Sequence, residues 1–251
     1  MMRSIHPTIR ALFRLSLILL GLFTNVAMLT ADERPSPETQ ACVVILHGMG
    51  RTHHSMGKIQ THLEQAGYAV SNASYPSTTE PIETLTELAV GQGIKHCQQL
   101  NAPVIHFVTH SLGGILVRAY LQDHVLSELG KIIMLAPPNH GSEIVDVLKD
   151  YRVYHYAMGP AGQALSTSNN SLPNQLKPIQ GEIGIIAGNY TSDPWFSPLI
   201  PGEDDGKVSV ESAKLDEMQD FWVIDSGHSF IMRNTQVIEQ IVYFLKHGRF
   251  R

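Results

Sequence analysis

The sequence predicts an α/β domain built on a mainly parallel sheet, and three observations predict it. Short apolar runs alternate with longer helical patterns, and the first, Cys42-Val43-Val44-Ile45-Leu46, is continuously apolar, as in a strand buried on both faces. A second run, Val104-Ile105-His106-Phe107-Val108, leads directly into Thr109-His110-Ser111-Leu112-Gly113-Gly114, where a serine heads a turn followed by small residues. The 251 residues suffice for one large domain of this class, which commonly runs to about 200–250 residues.

Taken in order after the first strand, residues 56–66 read as a helix stopped by Gly67, 68–74 as a second strand, and 81–100 as a helix with proline in its first turn. Residues 104–108 are the third strand. Residues 112–124 place Ile115, Leu116 and Ala119 at helical spacing, and 131–135 form a fourth strand before Ala136-Pro137-Pro138-Asn139-His140-Gly141-Ser142 turns outward. From 143 to 178 the pattern weakens: a helix to about 149, then Tyr151, Tyr154 and Tyr156, then a Ser- and Asn-rich stretch. This reads as a small lid or cap, with a plain surface excursion as the alternative. Residues 182–187 and 221–224 resume the sheet, giving about six strands, and 234–246 close the chain as an amphipathic helix. No internal repeat or low-complexity tract interrupts this order.

The formal net charge of −5, from 18 basic and 23 acidic residues, argues against a nucleic-acid partner, which would need clustered Lys and Arg. Residues 1–31 differ from the rest. Arg3, Arg10 and Arg14 precede an apolar core from Leu15 to Phe23, with Ala27 and Ala31 beyond it, the pattern of an export signal. The apolar stretch is shorter than the roughly 20 residues that span a bilayer, which favours cleavage and a periplasmic or secreted product over a retained membrane anchor. Residues 32–40, with Pro35 and Pro37, form a linker, and 41–251 the folded domain. Cys42 and Cys97 are the two cysteines. In an oxidising compartment they invite a disulfide, since one opens a strand and the other closes an antiparallel helix; two separate thiols remain the alternative. Their spacing matches no metal motif.

The chemistry rests on Ser111. In G-x-S-x-G the small flanking residues let a strand turn abruptly into a helix, so that the serine hydroxyl projects from a strained backbone at the sheet's top edge. Thr109 stands where the first glycine is expected, a β-branched residue that suits a strand's end but tightens the turn. A serine hydroxyl needs a base within hydrogen-bond reach and a third group to orient that base. Asp205, in the turn after the fifth strand, and His228, in the turn after the sixth, both fall at the carboxyl ends of strands, the edge where open parallel sheets bind ligands. Asp204 is a second candidate for the orienting acid. Asp225 and Asp193 are further carboxylates for which turn or solvent roles account better.

With these residues in view the chain resembles the α/β-hydrolase superfamily, and within it the small bacterial lipases and esterases that begin at the strand leading into His-Gly. Four motifs carry the resemblance in order over residues 41 to about 250: Leu46-His47-Gly48-Met49-Gly50, the elbow at Ser111, Asp205-Gly206-Lys207-Val208, and the histidine turn at His228. The loop 136–142 is also similar to that of lipase-like members. The resemblance implies the α/β-hydrolase fold, a Ser111-Asp205-His228 triad with Asp205 preferred over Asp204, and an oxyanion hole from the backbone N–H groups of Met49 and Leu112. It implies acyl transfer through an acyl-enzyme on a carboxylic ester or lipid, without a cofactor, and contact with a membrane surface through the lipid or the N-terminal segment. It extends to deacylases of the glycosylphosphatidylinositol inositol-deacylase type, to thioesterases and to acyltransferases, while a non-catalytic binding protein on the same scaffold is the rival from another class. His47, His53, His54 and His62 straddle a loop and a helix without the spacing of a zinc site, and His47 and His110 suit loop-holding hydrogen bonds. Trp195, Phe196, Leu199 and Ile200, and the three tyrosines, are candidates for lining an acyl pocket or for ordinary loop packing.

Overall fold

Strands that are apolar on both faces are stable only where helices cover both sides of the sheet. The computed structural model, which describes residues 40–191 and 195–251, has that arrangement. Strands β1 (Cys42–Leu46), β2 (Ala69–Ser71), β3 (Ile105–His110), β4 (Leu129–Leu135), β5 (Glu182–Gly188) and β6 (Asp220–Ile224) form one sheet in the order β2-β1-β3-β4-β5-β6. Every neighbouring pair is parallel, in keeping with the α/β-hydrolase fold.

The helices are α1 (Gly57–Gln65), α2 (Ile82–Leu85), α3 (Gln92–Gln99), α4 (Leu112–Asp123), α5 (Glu143–Leu148), α6 (Arg152–Gln163), α7 (Leu172–Gln175) and α8 (Thr235–His247). Alternate strand residues divide the core. Val43, Ile45, Val108, Ile133 and Ile186 pack with Ile59 and Leu63 of α1 and with Ile238, Ile241 and Phe244 of α8. On the other face Val44, Leu46, Phe107, Ile132 and Ile185 meet residues of α2, α3 and α4. Asn234 caps α8 by accepting from the Gln236 N–H at 2.9 Å, and Gly248 ends it in the left-handed conformation, φ 70°.

Three expectations need correction. The second strand is confined to Ala69–Ser71, because beyond it Asn72 and Ser74 turn their side chains to α1 and to the loop before it. Pro81 precedes the helix expected over 81–100, and that helix is interrupted by a wide π turn at Thr86–Gly91. Its buried positions recur every four residues (Ile82, Thr86, Val90, Ile94 and Leu85, Ala89, Gly93, Cys97), longer than an α-helical period. The widened turn keeps that stripe on the sheet. Finally, the weakly patterned stretch after residue 149 contains helices α6 and α7, with Gly159 at φ 60° and Pro160 marking a kink within α6.

Cys42 and Cys97 form a disulfide, with Cα atoms 5.7 Å apart, at the amino-terminal edge of the sheet. The signal and linker expectations for residues 1–39, and Asp193, lie outside the described residues. Among the described residues no helix is long and apolar enough to cross a membrane.

Candidate active site

The chain leaves β1 toward β2 on one side and β3 toward β4 on the other, so the carboxyl ends of β1 and β3 flank a topological switch point. In register Leu46 faces Thr109, which brings the loop 47–51 beside the turn at Ser111. Ser111 has φ 52° and ψ −120°, a conformation that costs a non-glycine residue on the order of 1–3 kcal/mol. Its N–H donates to the Leu135 carbonyl at 2.9 Å, and its carbonyl accepts from the Gly114 N–H at 3.0 Å, so both flanks of the turn are tied down.

The two glycines after it are required by close approach. A Cβ on Gly113 would lie 2.9 Å from Leu46 Cβ and 3.0 Å from the Leu46 carbonyl oxygen, so the start of α4 packs directly on the end of β1. A Cβ on Gly114 would lie 3.3 Å from Thr109 Oγ1. The β-branched residue at 109 is therefore accommodated by the bare Cα at 114; the Thr109 hydroxyl donates to the Ile133 carbonyl at 3.4 Å, and the residue is fully buried.

Ser111, His228 and Asp205 come together despite their separation in sequence. His228 Nδ1 lies 2.8 Å from Asp205 Oδ2, and its Nε2 lies 3.0 Å from Ser111 Oγ. A carboxylate can only accept, so Nδ1 carries the proton and Nε2 is free to accept from the serine hydroxyl. Asp205 is in turn fixed: its Oδ1 accepts from the N–H groups of Lys207 at 3.0 Å and Val208 at 2.9 Å, and its carbonyl accepts from the His228 N–H at 3.0 Å. Asp204 points elsewhere, accepting from Ser197 Oγ at 2.6 Å and from the Gly206 N–H at 2.7 Å. Asp225 is exposed.

Two buried histidines hold this arrangement. His110 Nε2 donates to the His228 carbonyl at 3.0 Å, while its Nδ1 is buried without a partner. Burial, and next the neighbouring His228, hold the His110 ring well below the usual histidine range, so it stays neutral. His47 Nε2 accepts from the Tyr75 N–H at 3.2 Å, which leaves its Nδ1–H to donate to the Gly48 carbonyl at 2.8 Å. That carbonyl also accepts from the Arg51 N–H at 3.2 Å. In a trans peptide the N–H points opposite to the C=O, so anchoring the Gly48 carbonyl fixes the direction of the Met49 N–H. His47 stacks on Tyr75, ring centroids 4.0 Å apart, and the Tyr75 hydroxyl donates to the His47 carbonyl. Leu112, whose side chain is fully buried, is the first residue of α4, where N–H groups lack intrahelical partners.

Ser111 opens onto a cavity of about 310 Å³. Its apolar wall comes from Met49, from Ile144, Val145 and Leu148 on α5, from Tyr154 and Met158 on α6, and from Leu165, so residues within 143–178 line it. Of the tyrosines only Tyr154 takes part; Tyr151 and Tyr156 are exposed. Of the residues 195–200 only Phe196 lines it, while Trp195 is 83% exposed. Arg51, Lys207 and the α5 aliphatics were not singled out from sequence, although the i, i+1, i+4 spacing of Ile144, Val145 and Leu148 marks one face of a short helix. Among the described residues no three His, Cys, Asp or Glu side chains gather as a metal site.

The Bacillus licheniformis lipase BlEst2 in its mature form superimposes with a TM-score of 0.63 at 16% identity, over 86% of this chain and 94% of that one. Its propeptide form gives 0.65 at 17%, over 84% of this chain; the chain spans about half, 51%, of that longer form. The metagenomic carboxyl esterase MGS0156 gives 0.61 at 15%, over 78% and 68%. At these identities the likeness shows the fold. Among curated protein sequences none matches. The sequence profile described as Palmitoyl protein thioesterase matches residues 42–194, which include the elbow and end before Asp205 and His228. On that match, over more than half its length, the chain belongs to the palmitoyl protein thioesterase family and is a hydrolase of the α/β-hydrolase fold.

Proposed function

We propose that the protein is an exported serine hydrolase that cleaves acyl esters and thioesters through an acyl-enzyme. The observation that carries this reading is the continuous path from Asp205 Oδ2 through His228 to Ser111 Oγ, with contacts of 2.8 and 3.0 Å, at a serine held at φ 52°. His228 takes the Ser111 proton as Oγ bonds to the acyl carbon. The Met49 and Leu112 N–H groups receive the developing oxyanion, a contribution of about 10²–10³ in turnover for each donor. As the C–O or C–S bond breaks, His228 returns the proton to the leaving oxygen or sulfur. Water, deprotonated by the same histidine, then releases the acid.

The apolar wall from 143–178 acts as a cap and takes the acyl chain. The family match favours thioesters beside the oxygen esters that the names of the lipase and esterase neighbours suggest. The disulfide and the basic-then-apolar residues 1–31 support export, with access to acyl substrates at a membrane surface.

The test is hydrolysis of matched p-nitrophenyl esters and acyl thioesters of graded chain length, with Ser111→Ala as control and fluorophosphonate labelling as an independent readout. We expect labelling at Ser111, turnover that vanishes in Ser111→Ala, and a rise with chain length. Neither labelling nor turnover in folded protein would make this a binding protein on a hydrolase scaffold.

A further inference from the structure

Of the described residues lining the cavity, Arg51 and Lys207 carry permanent charge, both positive, and none is Asp or Glu, on a chain whose net charge is −5. Arg51 stands two residues beyond Met49 on the loop after β1; Lys207 stands two residues beyond Asp205. The Lys207 ammonium lies 5.5 Å from the centroid of the Phe196 ring, and its carbonyl accepts from Ser142 Oγ at 2.6 Å, so this side chain is placed on the cavity wall. Arg51 as a whole residue is half-buried, and its guanidinium makes no hydrogen bond or ion pair among the described residues. It is close enough to the base of the site to contribute to keeping His110 neutral.

A guanidinium beside an apolar wall, with no partner among the described residues, gives up part of its hydration without a hydrogen bond in return. An arriving anion would restore it with charge-assisted hydrogen bonds. The aliphatic wall of α5 and α6 suits the acyl chain, so the anion belongs on the other side of the scissile bond. We propose that the substrate's leaving alcohol or thiol bears a phosphate and that Arg51 is the residue that recognises it. The inference rests on the acyl-hydrolase reading of Ser111. The planar guanidinium fork matches phosphate oxygens two at a time. The chemistry is otherwise unchanged: the Ser111 Oγ–acyl bond forms, the bond to the phosphate-bearing leaving group breaks, and His228 supplies the proton to the departing oxygen or sulfur.

Two sources would present such a phosphate, a glycerophosphate headgroup and a phosphorylated pantetheine arm, and matched pairs separate them. The pairs are 1-decanoylglycerol 3-phosphate against 1-decanoylglycerol, and decanoyl-coenzyme A against S-decanoyl-N-acetylcysteamine, all held below their aggregation concentrations so that no charged surface forms. We expect the full chain to prefer the phosphate member of one pair by about tenfold or more in kcat/KM, chiefly through KM, with the preference shrinking as salt rises. Arg51→Gln should reduce it below about threefold, and Arg51→Lys, which keeps the charge without the fork, should retain part of it. The pair that responds identifies the source. No preference in either pair, with Ser111-dependent turnover of the neutral members, would overturn the phosphate assignment and leave the hydrolase reading standing. A preference that survives Arg51→Gln would remove Arg51 from the role. Loss of all turnover together with fluorophosphonate labelling in the wild-type protein would overturn both readings.

Discussion

Each end of strand β3 carries a buried histidine, His106 at the amino-terminal end and His110 at the carboxyl end, four residues apart on one side of the strand. Both are kept neutral by burial, yet their surroundings differ. His106 Nδ1 accepts from the Lys131 N–H at 2.8 Å, beside a sheet edge stapled by the Cys42–Cys97 disulfide. His110 leaves its Nδ1 unpaired next to a serine at positive φ. A buried unpaired acceptor and a strained backbone both cost stability, and both sit where Ser111, His228 and Asp205 meet. The same strand is thus consolidated at one end and compromised for the site at the other.

The largest break in this contrast comes at the strained serine. Ser111→Gly should lower turnover of an acyl ester by about 10⁴-fold or more, as loss of a triad nucleophile does. It should also raise unfolding stability in urea by about 1 kcal/mol, because glycine adopts φ 52° without the steric cost. A glycine variant less stable than wild type would mean that the elbow stores no strain.

At the opposite end, replacing Cys42 and Cys97 together by serine should cost about 4 kcal/mol of stability, from a closed loop spanning a sequence separation of 55. Turnover at temperatures where the variant stays folded should remain within about twofold, since the disulfide lies at the far edge of the sheet from Ser111. A large fall in kcat in the folded double variant would instead show the two ends of the sheet to be coupled through β1.

Sequence legibility follows the same division. The strands at 42–46, 182–188 and 220–224 were readable almost to the residue, because burial on both faces forces continuous apolar runs. The meeting of Ser111, Asp205 and His228 was readable because each follows a strand at the carboxyl edge of the sheet. The wide turn at Thr86–Gly91 was not, since a four-residue burial period resembles an ordinary helix until the sheet is present. Helix α6 was obscured by Gly159-Pro160, a pair that reads as a breaker; in the structure a Cβ at Gly159 would come within 1.9 Å of the Thr78 carbonyl oxygen, a contact between distant segments. The partner of Thr109 was hidden for a like reason: Gly114 makes room for it only once the turn has formed. The unpaired state of Arg51 depends on every neighbour at once, so no local pattern announces it.

The smallest effect concerns pH and the consolidated end. Histidine in an unfolded chain titrates near its ordinary 6.5, whereas burial, with Lys131 adding to it, pulls His106 down to about 4 in the folded protein. The unfolded state therefore binds the proton first. His106 leaves stability intact above about pH 6.5 and withdraws up to about 3 kcal/mol as the pH falls toward 4, where the loss levels off. His106→Asn keeps an oxygen acceptor for the Lys131 N–H but cannot take a proton. Its unfolding free energy at pH 7.5 should be lower than wild type's through the smaller side chain, yet fall less steeply between pH 6.5 and 4, by as much as one proton's worth of slope. His47 and His110, also shifted downward, titrate in both proteins, so the difference in slope isolates His106. Urea titrations across that range, with equal m-values for the two proteins, measure it. Equal slopes would mean that the lower histidine is protonated in the folded state at no cost, and the contrast between the two ends of β3 would then rest on the disulfide and the elbow alone.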